Sequence, residues 1–357
     1  MTVKRFGLLA ALSTVAFVVP WRVAAQSSAA KPVSRIATPG KYTAPRLADG
    51  HPDFTGFWSN NTATPVERPA LYQGREYLTP EEADAVENAS VRNDEQRVKG
   101  APCAVKVRPG AVCPSAVGGA GSSEVGDYNA VFFEDGKRVV STLRTSIITD
   151  PQDGRMPPMT PEAKQMAAAA EAHQLDHPFD GPEDLTAADR CITGNGTPML
   201  PRGYNNALHI VQAPHHIAIA IEMMHDLRVI PIDGRPHGNA REWLGDSVGH
   251  YEGDTLVVET INFNGKRGWP GSNIGRRADQ KMKVTERFTR TAWDELLYQF
   301  TVDDPGIFTR PYSGEITMWP SEFPVLEYAC HEGNYSLRGI LSGARAQEMA
   351  AAAKRGK

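Results

Sequence analysis

The chain lacks any strong excess of charge, and this excludes two classes of partner. Among its 357 residues, 38 Lys and Arg stand against 42 Asp and Glu, for a formal net charge of −4. Proteins that bind nucleic acid or a membrane surface usually carry a concentrated basic surface, so we expect neither partner. A membrane-spanning helix needs roughly 20 apolar residues, and no segment after residue 25 is apolar enough to predict one.

Several motifs that mark known chemistries are also absent. No glycine-rich dinucleotide fingerprint or Walker loop precedes a predicted helix, so we expect no nucleotide or nicotinamide cofactor. Neither a Cys-x-x-Cys-His haem attachment nor a His-Glu-x-x-His zinc signature occurs. The segment Gly245–Gly249 (GDSVG) matches the letters of a nucleophile elbow. Because no strand–turn–helix pattern surrounds it, Ser247 is not predicted to be a nucleophile.

Only four cysteines occur, and in an exported chain they predict disulfides rather than a catalytic thiol. Four cysteines allow three pairings. Cys103 and Cys113 are neighbours in a stretch rich in Gly and Pro, so we expect them to pair with each other. Cys191 and Cys330 would then form a second bridge, which would join the middle of the chain to its end.

The expectation of export comes from the N-terminus, where residues 1–25 have the pattern of a signal peptide. Lys4 and Arg5 precede an apolar run over Phe6–Val19, and Val23–Ala25 ends in the small residues that a signal peptidase accepts. We therefore expect a periplasmic or secreted protein. Residues 26–52 are rich in Ser, Ala and Pro and show no periodicity, which predicts a linker or a strap on the surface.

The 32 glycines and 27 prolines are many for a helical protein and favour a fold rich in β-strands. From residue 208 onward, hairpin follows hairpin without crossover helices. This pattern predicts a mainly β (α+β) fold in which an antiparallel meander closes into a lipocalin-like barrel or a sandwich, with a few peripheral helices. We expect one β-rich domain over residues 53–342, followed by a C-terminal helix or tail over residues 343–357.

Helix signals occur at two places inside this domain. Thr79-Pro80 with Glu82 and Thr160-Pro161 with Glu162 predict helices near 79–97 and 160–173. Period-two alternation predicts a hairpin between these helices and a series of strands after them. The predicted strands are 128–133, 139–149, 209–213, 217–224, 227–232, 255–263, 282–291, 295–302, 314–319 and 325–330.

Polar side chains concentrate between Tyr204 and Asn262, on segments whose other residues have the apolar pattern of buried strands. Six of the ten histidines lie there: His209, His215, His216, His225, His237 and His250. Polar groups inside apolar strands are costly unless they are satisfied, so this stretch is the predicted location of a functional site. Alternation from 217 to 228 places Glu222, Asp226 and Arg228 on one strand face with two alanines. That face lines a pocket if it points into a barrel, and is a solvated edge if it points outward.

A series of short segments, in a specific order and spacing, carries a family resemblance. They are DPQDGR (150–155), MTPE (159–162), MLP (199–201), YNN (204–206), EMMHDLR (222–228), WLGDS (243–247), EGDTLVVET (252–260), ERFTR (286–290) and CHEGNY (330–335). With these segments the chain resembles a large group of exported, functionally uncharacterised proteins of soil and aquatic bacteria. It departs from them at His250-Tyr251, where Arg-Trp is more usual. The resemblance covers nearly all of the mature chain and implies a type of fold, but no reaction.

Three histidines from separate strands or loops lie in polar clusters: His225, His237 and His331. They could hold a divalent metal with an open coordination position. They could equally supply a general base with carboxylate support, or hold loops together through hydrogen bonds alone. We predict four catalytic residues: His225, Asp226, His331 and Glu332.

Seven further residues are predicted to bind the substrate: Glu222, Arg228, His237, Asp246, Tyr204, Asn205 and Arg144. The combined prediction is an exported hydrolase, lyase or isomerase that acts on a small organic molecule in a barrel pocket by His and carboxylate acid–base chemistry, with or without a metal. The alternative is a lipocalin-like binding protein without catalysis. Both depend on the Cys191–Cys330 bridge, which would bring His331 and Glu332 to the other candidates.

Overall fold

The computed structural model describes residues 42–98, 134, 136–194, 196–266 and 279–355. All of them belong to one compact unit, residues 35–357. The predicted signal peptide, the Cys103–Cys113 pair and the predicted strand 128–133 lie outside the described residues.

Ten strands form one antiparallel sheet that curves into a nearly closed barrel, which confirms the predicted mainly β fold. Around the barrel the strand order is β5-β4-β3-β1-β10-β9-β8-β7-β6, with β2 paired to β10. β5 and β6 lie side by side where the barrel closes, so that a side chain at Gly249 would meet Ile230 and Ile232. The strands are β1 Gly56–Ser59, β2 Ile148–Asp150, β3 Ala207–Ala213, β4 His216–Ile221, β5 Asp226–Pro231, β6 Asp246–Glu252, β7 Thr255–Ile261, β8 Lys283–Ala292, β9 Glu295–Asp303 and β10 Tyr312–Pro320.

The described α-helices are α1 Pro80–Val98, α2 Pro161–Asp176 and α3 Tyr335–Arg355. α1 and α2 begin where their sequence signals predict. The Thr160 hydroxyl accepts a hydrogen bond from the Ala163 amide (3.1 Å) at the start of α2. α3 begins at residue 335 and not at 343, because the Asn334 side chain caps it by accepting from the Leu337 amide (3.5 Å). No helix in the described ranges combines the length and the apolar character needed to cross a membrane.

Two predicted strand segments are wrong. Residues 139–147 are irregular because their amides bond to side chains, as Val140 does to the Thr64 hydroxyl and Ser141 to the Thr317 hydroxyl. Residues 325–330 form a loop, because both edges of their expected partner, β10, already pair with β1 and β9. The strand β6 was not predicted.

The predicted strand 217–224 ends early, at Ile221. Met223–His225 forms a 3-10 turn in which Met224 and His225 have positive φ values of 58° and 45°. This turn reverses the chain between β4 and β5 and breaks the alternation. The predicted face that combined Glu222, Asp226 and Arg228 with the alanines is therefore wrong.

The register shows which way the charged side chains of β5 point. Arg228 lies opposite Ile219, and Asp226 lies opposite Ile221. Directly opposed residues of antiparallel strands share a face, and these isoleucines are buried, at 0% and 2% exposed. Arg228 and Asp226 therefore point into the barrel, whereas the alanines of β4 lie on its outer face.

Large apolar side chains occupy the barrel interior. Phe288, Tyr298 and Phe300 on β8 and β9 are at most 2% exposed, as is Leu208 on β3. Each buried side chain of this size contributes roughly 1.5–3 kcal/mol to folding. The interior is filled with side chains at these positions, so the accessible candidate residues are found in the loops at the barrel end.

Candidate functional site

A disulfide between Cys191 and Cys330 connects the loop after β10 to the segment before β3, as predicted, with the two Cα atoms 5.7 Å apart. The C-terminal loop that contains Cys330 lies against the turn between β4 and β5. The His225 ring donates from Nδ1 to the Tyr328 carbonyl oxygen over 3.1 Å, and the Leu326 backbone lies beside the Glu222 carboxylate, where it partly opposes the rise of the Glu222 pKa. The bridge therefore holds two distant parts of the chain together.

His225 and His331 meet at this junction. Their ring centroids are 6.1 Å apart, the ring planes are tilted by 54°, and both residues are exposed. Because a carbonyl oxygen can only accept, Nδ1 of His225 carries the proton of the neutral ring, and Nε2 keeps its lone pair. Nε2 of His225 is thus available to accept a proton from a ligand.

Glu222 lies at the same junction but is buried, with 6% of its surface exposed. Its carboxylate accepts from the Asn205 amide group over 2.6 Å. Burial raises the pKa of Glu222, and the nearby Glu134 carboxylate raises it further. Glu222 therefore holds a proton more readily than an ordinary glutamate. We call the group of His225, His331, Glu222 and Asn205 the loop site.

The predicted catalytic residue Asp226 is turned away from the loop site. Its carboxylate accepts from the Thr193 hydroxyl (2.8 Å) and the Gly194 amide (3.0 Å). The Arg202 guanidinium donates to the Gly194 carbonyl oxygen on the same segment, and burial lowers the pKa of Arg202. These contacts anchor residues 193–194 to the barrel, so Asp226 has a positioning role in this structure.

Two other predicted residues lie at the border of the loop site. Glu332 is exposed beside His331. Tyr204 is half-buried and packs against the core. Glu332 can therefore reach a ligand from solvent, whereas Tyr204 contributes to the packing of the hydrophobic core.

Arg228 belongs to a separate, buried network inside the barrel. Its guanidinium donates to both carboxylate oxygens of Glu286 over 3.0 and 2.5 Å, and to the hydroxyls of Ser247 and Thr260. The Tyr298 hydroxyl donates to Glu286 over 2.8 Å. Burial opposes the charge on Arg228, but Glu286 compensates and leaves the pKa of Arg228 raised. Arg228 is thus engaged and does not present its charge to a ligand.

Glu286 and Tyr298 were not predicted, although the sequence carries a signal for Glu286. Val284, Glu286 and Phe288 alternate along β8, and the two apolar neighbours are buried at 0% and 1% exposed. A carboxylate in such a row points into the core, where it needs a cationic partner. Arg228, which points into the barrel from β5, is that partner.

His237 and Asp246 form a second surface group. Nδ1 of His237 lies 3.0 Å from the Asp246 carboxylate, and Nε2 lies 3.5 Å from Glu259. Lys283 pairs with Glu259 and, as the largest contribution, lowers the pKa of that carboxyl. The ring of His237 is therefore held between two carboxylates instead of joining the loop site.

Arg144 lies apart from both groups. It pairs with Glu76 and, over 2.9 Å, with Glu315, and its guanidinium is 5.0 Å from the Tyr77 ring centroid. Glu315 alternates with the inward-facing Ile316 on β10, which places Arg144 on the outside of the barrel. The structure therefore does not bring Arg144 to the substrate-binding residues among which it was predicted.

The predicted metal-ligand set is not assembled. Across the described ranges, no three His, Cys, Asp or Glu side chains come together in a way that could hold a metal ion. His225 and His331 are neighbours, but His237 is engaged by Asp246 and Glu259. The loop site is therefore a pair of exposed histidines with the buried carboxyl group of Glu222.

A buried aspartate after β9 gives the fold a pH dependence. Asp304 is 1% exposed; its Oδ2 accepts from the Asp279 amide (3.2 Å), and within the described residues Oδ1 has no hydrogen-bond partner. Burial, with a smaller contribution from the Asp279 charge, raises the pKa of Asp304 from 3.8 to about 6. A raised carboxyl pKa stabilises the fold at low pH, and this contribution is lost as pH rises through about 6.

We therefore expect Asp304→Asn to stabilise the protein at pH 8, because it removes the ionisation of a buried carboxyl. A shift of this size corresponds to about 2–3 kcal/mol. Urea unfolding of the variant and the unmodified chain at pH 8 and pH 4.5 measures the effect. The gain should shrink strongly at the lower pH, and an equal gain at both would show that ionisation is not its cause.

No protein-family model, curated protein or solved structure matches this chain. The resemblance to exported bacterial proteins stays a prediction, and function has to be argued from the side chains.

Proposed function

We propose that the protein is an exported enzyme that performs acid–base chemistry on a small organic molecule at the loop site, as a hydrolase, lyase or isomerase. The observation that carries the proposal is the pairing of His225 with His331 at a ring separation of 6.1 Å. Imidazole is the side chain best suited to take up and release protons near neutral pH. Two such rings on one surface can take a proton at one atom of a ligand and deliver one at another.

The hydrogen bonds around the pair support distinct roles. Nδ1 of His225 is fixed by the Tyr328 carbonyl, so Nε2 is the candidate general base. His331, in its protonated form, is the candidate general acid. Glu222 is buried, accepts from Asn205 and has a raised pKa, so it can store a proton beside the pair. A general base must lie within about 2.6–3.2 Å of the proton's parent atom, so the ligand has to approach Nε2 of His225 from the exposed side of the pair.

Export is part of the proposal. The Cys191–Cys330 disulfide supports it, because such bonds persist in oxidising compartments such as the periplasm or the extracellular space. The N-terminal signal pattern points the same way.

A second candidate function is small-molecule binding without catalysis. It is favoured by a groove of about 540 Å³ along α3, whose volume lies within the range of roughly 300–1,000 Å³ that is usual for small-molecule sites.

Substitution of the two histidines tests the enzymatic proposal. A ligand-stabilisation screen across lignin-derived aromatics, terpenoids, steroids and sugars, followed by product analysis of the hits, identifies a substrate. We expect His225→Ala or His331→Ala to lower turnover by about 10²–10⁴-fold, the usual contribution of general acid–base catalysis. Both side chains are exposed, so the thermal unfolding temperature should hardly change in His331→Ala and should fall only slightly in His225→Ala, which loses the hydrogen bond to Tyr328.

His215→Ala is the matched control, since His215 is also exposed and lies in the turn between β3 and β4. Its turnover should equal that of the unmodified chain. Full turnover in both loop-site variants would refute the assigned roles. Stabilising ligands that yield no product across the panel would favour the binding function instead.

A further inference from the structure

A shallow groove runs between the first three turns of α3 and the loop at residues 180–182. Its volume is about 540 Å³. Leu337 and Leu341 of α3 line it together with Pro182 of the loop. α3 buries none of its residues, so these leucines remain accessible. The groove thus offers an apolar surface to a ligand of small-molecule size.

One charge in this groove has no counter-charge. Arg345 donates to the carbonyl oxygens of Phe179 (3.1 Å) and Asp180 (2.9 Å) and pairs with Glu348. The Asp180 carboxylate lies 2.9 Å from Nδ1 of His177. By contrast, Arg338 lines the groove, and its guanidinium forms no hydrogen bond or ion pair with any part of the chain that the structure describes.

The groove also adjoins the loop site. Asn334 lines its end, and the Asn334 amide nitrogen donates to the His331 carbonyl oxygen over 3.3 Å. The side chain of Asn334 contacts the Cys191 sulfur over 3.1 Å. The disulfide therefore holds the start of α3, and with it the groove, next to His331.

We propose that this groove binds an amphipathic organic anion, that is, an apolar body with one carboxylate. Leu337, Leu341 and Pro182 contact the body, and Arg338 holds the carboxylate in a bidentate pair, the geometry that a guanidinium favours. A ligand in this position extends toward His331. That it is the substrate of the loop site rests on the proposed function, whereas the binding itself does not.

Three probes with the same ten-carbon alkyl chain separate charge recognition from simple apolar contact: undecanoate, decanol and decyltrimethylammonium; decanoate, one carbon shorter, serves as the anion in the variants below. Isothermal titration calorimetry of the full mature chain, below the micelle concentration of the two ionic probes and below the solubility limit of decanol, measures their affinities. We expect undecanoate to bind most tightly and decyltrimethylammonium most weakly. Equal affinities for all three, or no binding of undecanoate, would overturn the proposal.

Two variants on the same helix sharpen the test. Arg338→Met keeps the apolar stem but removes the guanidinium, and should weaken decanoate binding about tenfold, or about 1.4 kcal/mol, with little change for decanol. Arg355→Met, at the exposed far end of α3, should change neither. An Arg338→Met variant that binds decanoate as tightly as the unmodified chain contradicts the assignment.

One variant distinguishes failure of the anion-binding proposal for the groove from failure of the enzymatic proposal for the loop site. His225 does not line the groove, so His225→Ala should bind decanoate with unchanged affinity even where turnover is lost. Loss of decanoate binding in that variant would show that the probe occupies the loop site and not the groove.

Discussion

Replacing Arg228 with Met is expected to lower the free energy of unfolding by about 3–5 kcal/mol, the usual cost of leaving one partner of a buried ion pair alone. Arg228 is 3% exposed and Glu286 is 0% exposed. In the variant the Glu286 carboxylate keeps the Tyr298 hydroxyl as a donor but loses both guanidinium bonds. Urea unfolding followed by circular dichroism measures the loss.

An exposed ion pair that also has two hydrogen bonds provides the control. Arg310 donates to both carboxylate oxygens of Asp150 over 2.8 Å, but the two side chains are 50% and 53% exposed. Water solvates both charges there, so Arg310→Met should cost less than about 1 kcal/mol. Similar losses in the two variants would show that burial is not what makes the Arg228 pair important.

The double variant Arg228→Met/Glu286→Leu separates the charge from the packing. Removing both charges leaves no uncompensated ion. The double variant should therefore lose less unfolding free energy than the sum of the losses in the two single variants, with a coupling energy of at least about 2 kcal/mol. The Tyr298 hydroxyl would still accept from the Met199 amide over 3.0 Å. Additive losses would mean that Arg228 and Glu286 stabilise the fold independently.

The meander could be predicted because its strands carry their signals locally. β7, β8 and β9 alternate in period two between short turns, and β8 and β9 pair over most of their lengths. The helices at Pro80 and Pro161 begin at local caps. Such signals depend on a few neighbouring residues, so they can be recognised in the sequence without knowledge of the fold.

A turn between β4 and β5 was predicted, but its position and conformation could not be predicted in the same way. The chain reverses at Met224 and His225 with positive φ values, which the sequence usually marks with Gly or Asn. Here neither residue type is present, so the alternation appeared to continue. That single break places Arg228 and Asp226 on the face of Ile219 and Ile221 and not on the face of the alanines with which they were predicted.

The loop site was predictable only through one covalent bond. His225 and His331 are distant in sequence, and no periodicity connects them. The predicted disulfide between Cys191 and Cys330 implied that His225 and His331 lie close together. The structure contains both this disulfide and the contact between the two histidine rings. The partners of Glu286 and His237 could not be predicted, because they depend on the register between strands that are distant in sequence, and the sequence does not specify that register.

The same bond yields the second large effect. We expect the variant Cys191→Ser/Cys330→Ser to lose about 3–5 kcal/mol of unfolding free energy, because the bridge spans a sequence separation of 139 and long loops gain most from closure. A variant that removes Cys103 and Cys113 instead leaves the long bridge intact. If those two cysteines pair, they close a far shorter loop, so the variant that lacks them should lose less unfolding free energy.

Removal of the Cys191–Cys330 bridge should also loosen the structure locally, because the bridge holds the C-terminal loop against the β4–β5 turn. Without it, the loop is ordered only by noncovalent contacts, among them the hydrogen bond from His225 to the Tyr328 carbonyl oxygen and that from Asn334 to the Asp189 carbonyl oxygen. Amide hydrogen exchange at residues 326–334 should therefore accelerate in the Cys191→Ser/Cys330→Ser variant, while β8 and β9 stay protected under native conditions. Unchanged exchange in the loop would contradict this, because it would mean that noncovalent contacts suffice to keep His331 beside His225. Accelerated exchange together with lost turnover would identify the disulfide as the element that assembles the loop site.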